Sequence, residues 1–249
     1  MSYSFGIDIG GSGVKGALAD LDTGEFVGER TKIATPRPST PDAVAEVAAD
    51  IVRQAGWDGP VGLTLPSVVK DQTVLSAANI DKSWIGTDVQ ELFGRHFPGR
   101  ELTVLNDADA AGLAESAHGD PLARTGTAIF LTLGTGIGSA FLLDGKLFPN
   151  TELGHLMVDG EIAEKRASSA AKDRDGLKHK QWAKRLNRAL YEYEKLFHPQ
   201  TFIIGGGISR KFDSWGPHIQ IKTPVIPAQL RNRAGIVGAA MAVESGIKP

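Results

Sequence analysis

The chain has 249 residues, a formal net charge of −2 and no cysteine. That length suits one large or two modest domains, and an apolar content of 41% is ordinary for a globular core. The near-neutral charge gives no global field for nucleic acid. The missing cysteines exclude disulfides, thiolate catalysis and cysteine-ligated zinc, and fit a cytoplasmic location. No apolar run reaches the roughly 18 residues of a membrane span, and Met1 to Ser4 show no signal-peptide pattern. Neither a membrane nor a nucleic-acid partner is therefore expected.

Phe5 to Lys32 reads as three consecutive strands in an antiparallel meander. Its first turn is Asp8-Ile9-Gly10-Gly11-Ser12-Gly13 and its second is Asp22-Thr23-Gly24. Gly11-Ser12-Gly13-Val14-Lys15-Gly16 matches the dinucleotide pattern G-x-G-x-x-G, but that site needs a helix directly after the turn. The residues after this turn read as strand. After a proline-rich connection from Thr35 to Pro41, Thr40 is placed to cap a helix. Val44, Val47, Ala48, Ile51, Val52 and Ala55 recur at helical spacing, and Gly56 stops the run. Val61 to Leu65 is a buried strand, Asp88 to His96 a short helix, and Leu102 to Leu105 another strand. Asn106-Asp107 stands between that strand and an alanine-rich helix over Ala108 to His118.

The second half repeats the scheme. Ala128 to Leu133, a turn at Gly134-Thr135-Gly136-Ile137-Gly138 and Ser139 to Leu143 form a second glycine hairpin. Gln181 to Phe197 carries Trp182, Leu186, Ala189, Leu190, Tyr193, Leu196 and Phe197 on one helical stripe, which reads as core. Thr201 to Ile204 is a strand ending in Gly205-Gly206-Gly207, and Ala234 to Val243 is a small-residue helix. The expectation is two α/β domains with a cleft between them. The smaller would hold 1–107 plus 235–249, the larger 108–234.

Two matched glycine hairpins suit a clamp on a phosphate chain, because glycine lets backbone N–H groups approach anionic oxygens. Asp107, at a helix start, reads either as an N-terminal cap or as a general base for an attacking hydroxyl, with Asn106 binding beside it. Glu152 and His155, three apart, suit a surface loop, a metal or adjacent sugar hydroxyls. Asp8, inside a phosphate turn, is either a turn-stabilising acid or a Mg²⁺ ligand, direct or through water. Lys165, Arg166, Lys172, Arg174, Lys178, Lys180, Lys184, Arg185 and Arg188 crowd one stretch, as a solvated face or a polyanion track. Lys15, Lys82 and Arg231 lie in or near the motif loops and are better placed for that track.

Together these motifs resemble the ROK family of sugar kinases and repressors, with the actin-like ATPase (ribonuclease H-like) fold. Gly6 to Ser12 resembles its first phosphate motif and Leu133 to Gly138 its second. Leu105-Asn106-Asp107-Ala108 resembles the catalytic motif, Glu152-Leu153-Gly154-His155 the sugar signature, and Ile204 to Ile208 the adenosine-side motif. The resemblance implies Asp107 as the base and Asn79, Asn106, Asp107, Glu152, His155 and Glu164 as glucose contacts, with Glu161 the alternative to Glu164. It also implies donor binding by Asp8, Gly10, Gly11, Ser12, Gly13, Lys15, Gly134, Thr135, Gly136, Gly205, Gly206 and Gly207. The chain departs from the family in lacking the cysteine-rich zinc loop and in Ser67, where a glycine is usual after Pro66. The zinc-free pattern, with Ser76 to Trp84 and Leu230-Arg231-Asn232, looks most like the family's polyphosphate-using glucokinases. That likeness implies phosphorylation of glucose at O6 from inorganic polyphosphate with Mg²⁺, ATP as a second donor, and a homodimer. An ATP-only hexokinase is the alternative. A repressor would carry an N-terminal DNA-binding module, for which a phosphate turn beginning by residue 8 leaves no room.

Overall fold

The structure, a computed structural model, describes residues 2–78 and 80–249; Asn79, implied as a sugar contact, lies outside the described residues. The chain divides into two compact units, 1–114 with 232–249, and 115–231.

In the first unit, β1 (Tyr3–Gly10), β2 (Gly13–Asp20) and β3 (Glu25–Ile33) form the expected meander. α1 (Pro41–Ala55) comes next, then β4 (Val61–Leu65), α2 (Val89–Gly94), β5 (Leu102–Asn106) and α3 (Asp107–His118). The sheet order is β3-β2-β1-β4-β5, with β1, β4 and β5 parallel. Thr40 precedes α1 without a side-chain capping bond, Pro41 setting the first turn instead. Asp88 does cap α2, its carboxylate accepting from the N–H groups of Gln90 and Glu91. Phe5, Ile7 and Ile9 of β1 join Val44, Ala48 and Ile51 of α1 in one apolar core.

In the second unit, β6 (Thr127–Leu133), β7 (Ile137–Leu143) and β8 (Lys146–Phe148) make a second meander. Two short helices, α4 (Ala163–Ala167) and α5 (Ser169–Arg174), lead to α6 (His179–Phe197). β9 (Thr201–Gly205) and β10 (Val225–Pro227) complete the sheet β8-β7-β6-β9-β10, which has the strand order of the first. Trp182, Leu186, Leu190 and Tyr193 of α6 are buried with Ile129, Leu131, Phe202 and Ile204 of the sheet. Trp182 meets Trp215 edge-on at 5.4 Å. The stripe of α6 is core only as far as Tyr193. Leu196 is 55% and Phe197 37% exposed, because the last turn runs past the buried face.

α7 (Ala234–Glu244) returns to the first unit and packs on β1 and β4. The contact is backbone against backbone. A methyl group on Gly6 would sit 1.9 Å from the carbonyl oxygen of Ile236, and one on Gly62 would sit 1.8 Å from that of Ala239. Only glycine admits the helix at this distance. No helix among the described residues is long and apolar enough to cross a membrane.

Candidate functional site

Three parallel strands of the first unit bring the chemistry to one sheet edge. Register places Asp8 beside Thr64, Thr64 beside Leu105, and Leu65 beside Asn106. Asp8, Thr64, Ser67, Asn106 and Asp107 therefore stand at or just beyond the carboxyl ends of β1, β4 and β5, where open α/β sheets bind ligands. The hairpin register sets Lys15 opposite Asp8, and Lys15 Nζ lies 2.7 Å from Asp8 Oδ2. The buried Thr64 donates its hydroxyl to Asp8 Oδ1 at 3.2 Å. The Asp8 carboxylate is thus paired with a lysine of its own hairpin.

Asn106 caps the start of α3. Its Oδ1 accepts from the N–H groups of Ala108 at 2.8 Å and Asp109 at 3.3 Å, while its Nδ2 donates to the Ser67 carbonyl at 3.1 Å. Asp107 Oδ1 accepts from its neighbour's N–H, that of Ala108, at 2.9 Å. One strand end is therefore locked to the next through Asn106, and the half-buried Asp107 carboxylate is held at the helix start.

In the second unit, the loop after β8 runs into a single helical turn, Leu153–His155. Ser139 of β7 fixes this loop: its hydroxyl donates to the Thr151 carbonyl at 2.7 Å and accepts from the Leu153 N–H at 3.0 Å. Tyr193 of α6 donates to the Leu153 carbonyl at 2.7 Å, and burial pushes its phenol pKa upward. His155 Nε2 then lies 3.8 Å from Glu152 Oε2 and 4.0 Å from Glu164 Oε1. Glu164 also meets the second glycine turn, its Oε2 accepting from the Ile137 N–H at 3.2 Å. Glu161 is exposed on a two-residue strand, so it is Glu164 that joins the His155 cluster. Burial raises the Glu152 pKa above the usual carboxylate value; His155 opposes the shift and Glu164 adds to it. No group of three acids or histidines placed to hold a metal occurs among the described residues, this cluster included.

The remaining expected residues lie in the turns and on the surface. Gly10 and Gly13 are paired across the first turn, with Gly11 and Ser12 at its tip. Gly134, Thr135 and Gly136 form the second turn, closed by a Gly134 N–H bond to the Gly136 carbonyl at 3.0 Å. Gly205 ends β9; Gly206 has a φ of 83° and lies against the Leu133 carbonyl; Gly207 opens a short helical turn. Lys82 is exposed. Arg231 has a left-handed φ of 54° and succeeds a loop held by buried Glu115, which accepts from the N–H groups of Gln229 at 2.8 Å and Leu230 at 2.7 Å. Five of the nine cations of the basic stretch are ion-paired: Arg166 and Arg188 meet Asp159, Arg174 and Arg185 meet Asp175, and Lys172 meets Asp173. The bonds from Arg174 and Arg185 hold the Asp175 pKa at about 2.

Sequence reasoning missed Thr64, Ser139 and Glu115. Thr64 had left a signal, a polar residue inside an otherwise apolar strand; Ser139 and Glu115 act on partners distant along the chain and left none.

A meander of three strands continued by two parallel strands, built twice and each time opening on a glycine turn, is the actin-like ATPase fold. The chain belongs to the ROK family, whose model matches residues 4–175. It is 52% identical over 240 residues to the polyphosphate glucokinase of Mycobacterium tuberculosis, covering 96% of this chain and 91% of that one. Among solved structures, it is similar to the inorganic polyphosphate/ATP-glucomannokinase of Arthrobacter sp. strain KM, with a TM-score of 0.91 and 47% identity over 99% of this chain and all of that one. A ROK family glucokinase from Streptomyces griseus, in complex with glucose and AMPPNP, aligns at a TM-score of 0.82 and 25% identity over 98% of this chain and all of that one.

Proposed function

We propose that this protein transfers the terminal phosphoryl group of inorganic polyphosphate to O6 of glucose, with ATP as a second donor. The observation that carries this is 52% identity across nearly the whole chain to a polyphosphate glucokinase, with the expected base at a strand end. In this reading Asp107 accepts the O6 proton as the O6–P bond forms. The bridging P–O bond of the donor breaks, and polyphosphate one unit shorter leaves. Phosphoryl transfer asks chiefly for such positioning and for neutralised charge. Asn106, its Oδ1 committed to the cap, turns its second amide hydrogen to the sugar. Asn79, Glu152, His155 and Glu164 take the remaining hydroxyls. An Asp8 carboxylate fits Mg²⁺ held by one protein oxygen, waters and donor phosphates, a usual arrangement for that ion. Such an ion would offset donor charge, while Lys15 and the backbone N–H groups of the turns at Gly10 to Gly13, Gly134 to Gly136 and Gly205 to Gly207 hold the donor oxygens. Zinc has no part in it. Cytoplasmic action and a homodimer belong to the same reading and rest on the family likeness.

The test is glucose 6-phosphate formation with Mg²⁺, comparing nucleotide-free polyphosphate with polyphosphate-free ATP. Turnover with polyphosphate is expected. Turnover with ATP alone would favour the ATP-only hexokinase. Mannose is the second sugar to assay, since the Arthrobacter relative is a glucomannokinase.

A further inference from the structure

Beside the first glycine turn lies a cavity of about 260 Å³, whose lining includes Gly11, Arg37, Ser39, Ile80 and Asp81. Its walls are tied in place. Thr35 Oγ1 donates to the Gly10 carbonyl, binding the segment after β3 to the turn. On the other side the Asp81 N–H donates to Ser39 Oγ at 3.2 Å, and the buried Trp84 donates through Nε1 to the Ser39 carbonyl at 2.9 Å.

One cation lines this cavity and two more stand on segments that adjoin it. Arg37 is exposed in the lining and has no hydrogen-bond or ion-pair partner among the described residues. Lys32 lies over the turn, its Cε 2.9 Å from where a methyl group on Gly13 would be. Register sets Lys32 beside Lys15, which pairs with Asp8, and no acid among the described residues pairs with Lys32. Lys82, also exposed and unpaired among them, comes directly after Asp81. The acid in the lining, Asp81, has its Oδ1 on the Ser83 N–H at 2.9 Å. At about 260 Å³ the cavity is small beside the roughly 300–1,000 Å³ of pockets for drug-sized ligands, a size that suits a short run of phosphate units better than a whole nucleotide.

We propose that this cavity, with Arg37 and Lys32, is a subsite for phosphates of the donor chain beyond the one transferred, and that its ligand is condensed inorganic phosphate. The proposal rests on the polyphosphate-donor reading and adds to it a site for the untransferred chain. Unpaired cations at a fixed hole are what a linear polyanion needs, and their contribution is strongly salt-dependent because counterions are released.

The test uses the full chain, a Lys32→Ala/Arg37→Ala double variant and Arg37→Lys, with long-chain polyphosphate, tripolyphosphate and ATP as donors. In the double variant KM for long-chain polyphosphate should rise about tenfold, and the slope of log KM against log salt should fall by about 1–2. KM for ATP and glucose, and Tm, should not move, and Arg37→Lys should keep most of the wild-type behaviour. An unchanged KM for long-chain polyphosphate overturns the subsite, as does an equal rise for ATP. Wild-type turnover with polyphosphate combined with unaffected variants defeats the subsite alone. If wild type neither turns over nor binds sodium polyphosphate by calorimetry, the donor reading falls and the subsite with it.

Discussion

Gly136→Ala separates the sugar role of Glu164 from the general integrity of the fold. A methyl group at residue 136 would sit 2.4 Å from Glu164 Oε2, whereas ordinary contact begins near 3.4 Å. The carboxylate must therefore retreat by about 1 Å, the difference of those two distances. Its bond from the Ile137 N–H, already 3.2 Å, would be lost. Alanine itself is tolerated at residue 136, whose φ is outside the left-handed region. The group that moves is the end of a flexible side chain, so Tm should hardly change. A hydrogen bond to a charged group contributes about 1.5–3 kcal/mol, so losing one from Glu164 to glucose should raise KM roughly 10- to 150-fold. The assay is glucose KM at saturating donor, alongside a thermal scan. Gly94→Ala is the control, since nothing lies within 4 Å of its added methyl and it stands outside the site. A glucose KM within about twofold of wild type in a well-folded Gly136→Ala protein would refute the placement of Glu164 on the sugar.

Asp107→Asn should keep glucose binding, measured by calorimetry, and lose turnover by at least about 100-fold, the usual scale for a general base; retained turnover would end that assignment. Glu115→Ala leaves the N–H groups of Gln229 and Leu230 without their acceptor, which should cost about 2 kcal/mol or more and lower Tm. Gly62→Ala drives a methyl into the Ala239 carbonyl and should destabilise by about 1–3 kcal/mol or prevent folding, whereas Gly94→Ala in open space should be neutral or stabilising. The pKa of Glu152 is raised, chiefly by burial, so the cost of its charge is absent below the ordinary glutamate value and grows as pH rises through the folded-state value. Glu152→Gln should therefore gain Tm over wild type once pH exceeds the folded-state value, hold that gain through neutral pH, and lose it below the ordinary value of 4.5; a gap independent of pH across that interval would contradict this.

Local patterns carried much of the fold. Both glycine hairpins and the periodic runs of α1 and α6 arise from neighbours along the chain, since their bonds close over a few residues, while the strand before Asn106-Asp107 was legible from its apolar run although its bonds reach β4 about forty residues back. The short helix pair at 163–174 and the three-residue β10 escaped that reading because such short segments are held by their packing rather than by their own pattern. The basic connection around Arg37 read only as proline-rich chain, since nothing local shows that it walls a cavity.

The sequence by itself determined which residue types stand at each strand end and turn, because motif order and hydrophobic period are one-dimensional properties. Tertiary structure decided which of those residues meet. It put Glu164 rather than Glu161 near His155, set the Asn106 amide on the Ser67 carbonyl, and gave the 229–231 loop a buried carboxylate more than a hundred residues away. It also left the last turn of the α6 stripe exposed. The physical reason is that hydrogen-bond reach and burial depend on distance in space, and contacts across long separations leave no periodic trace in the chain.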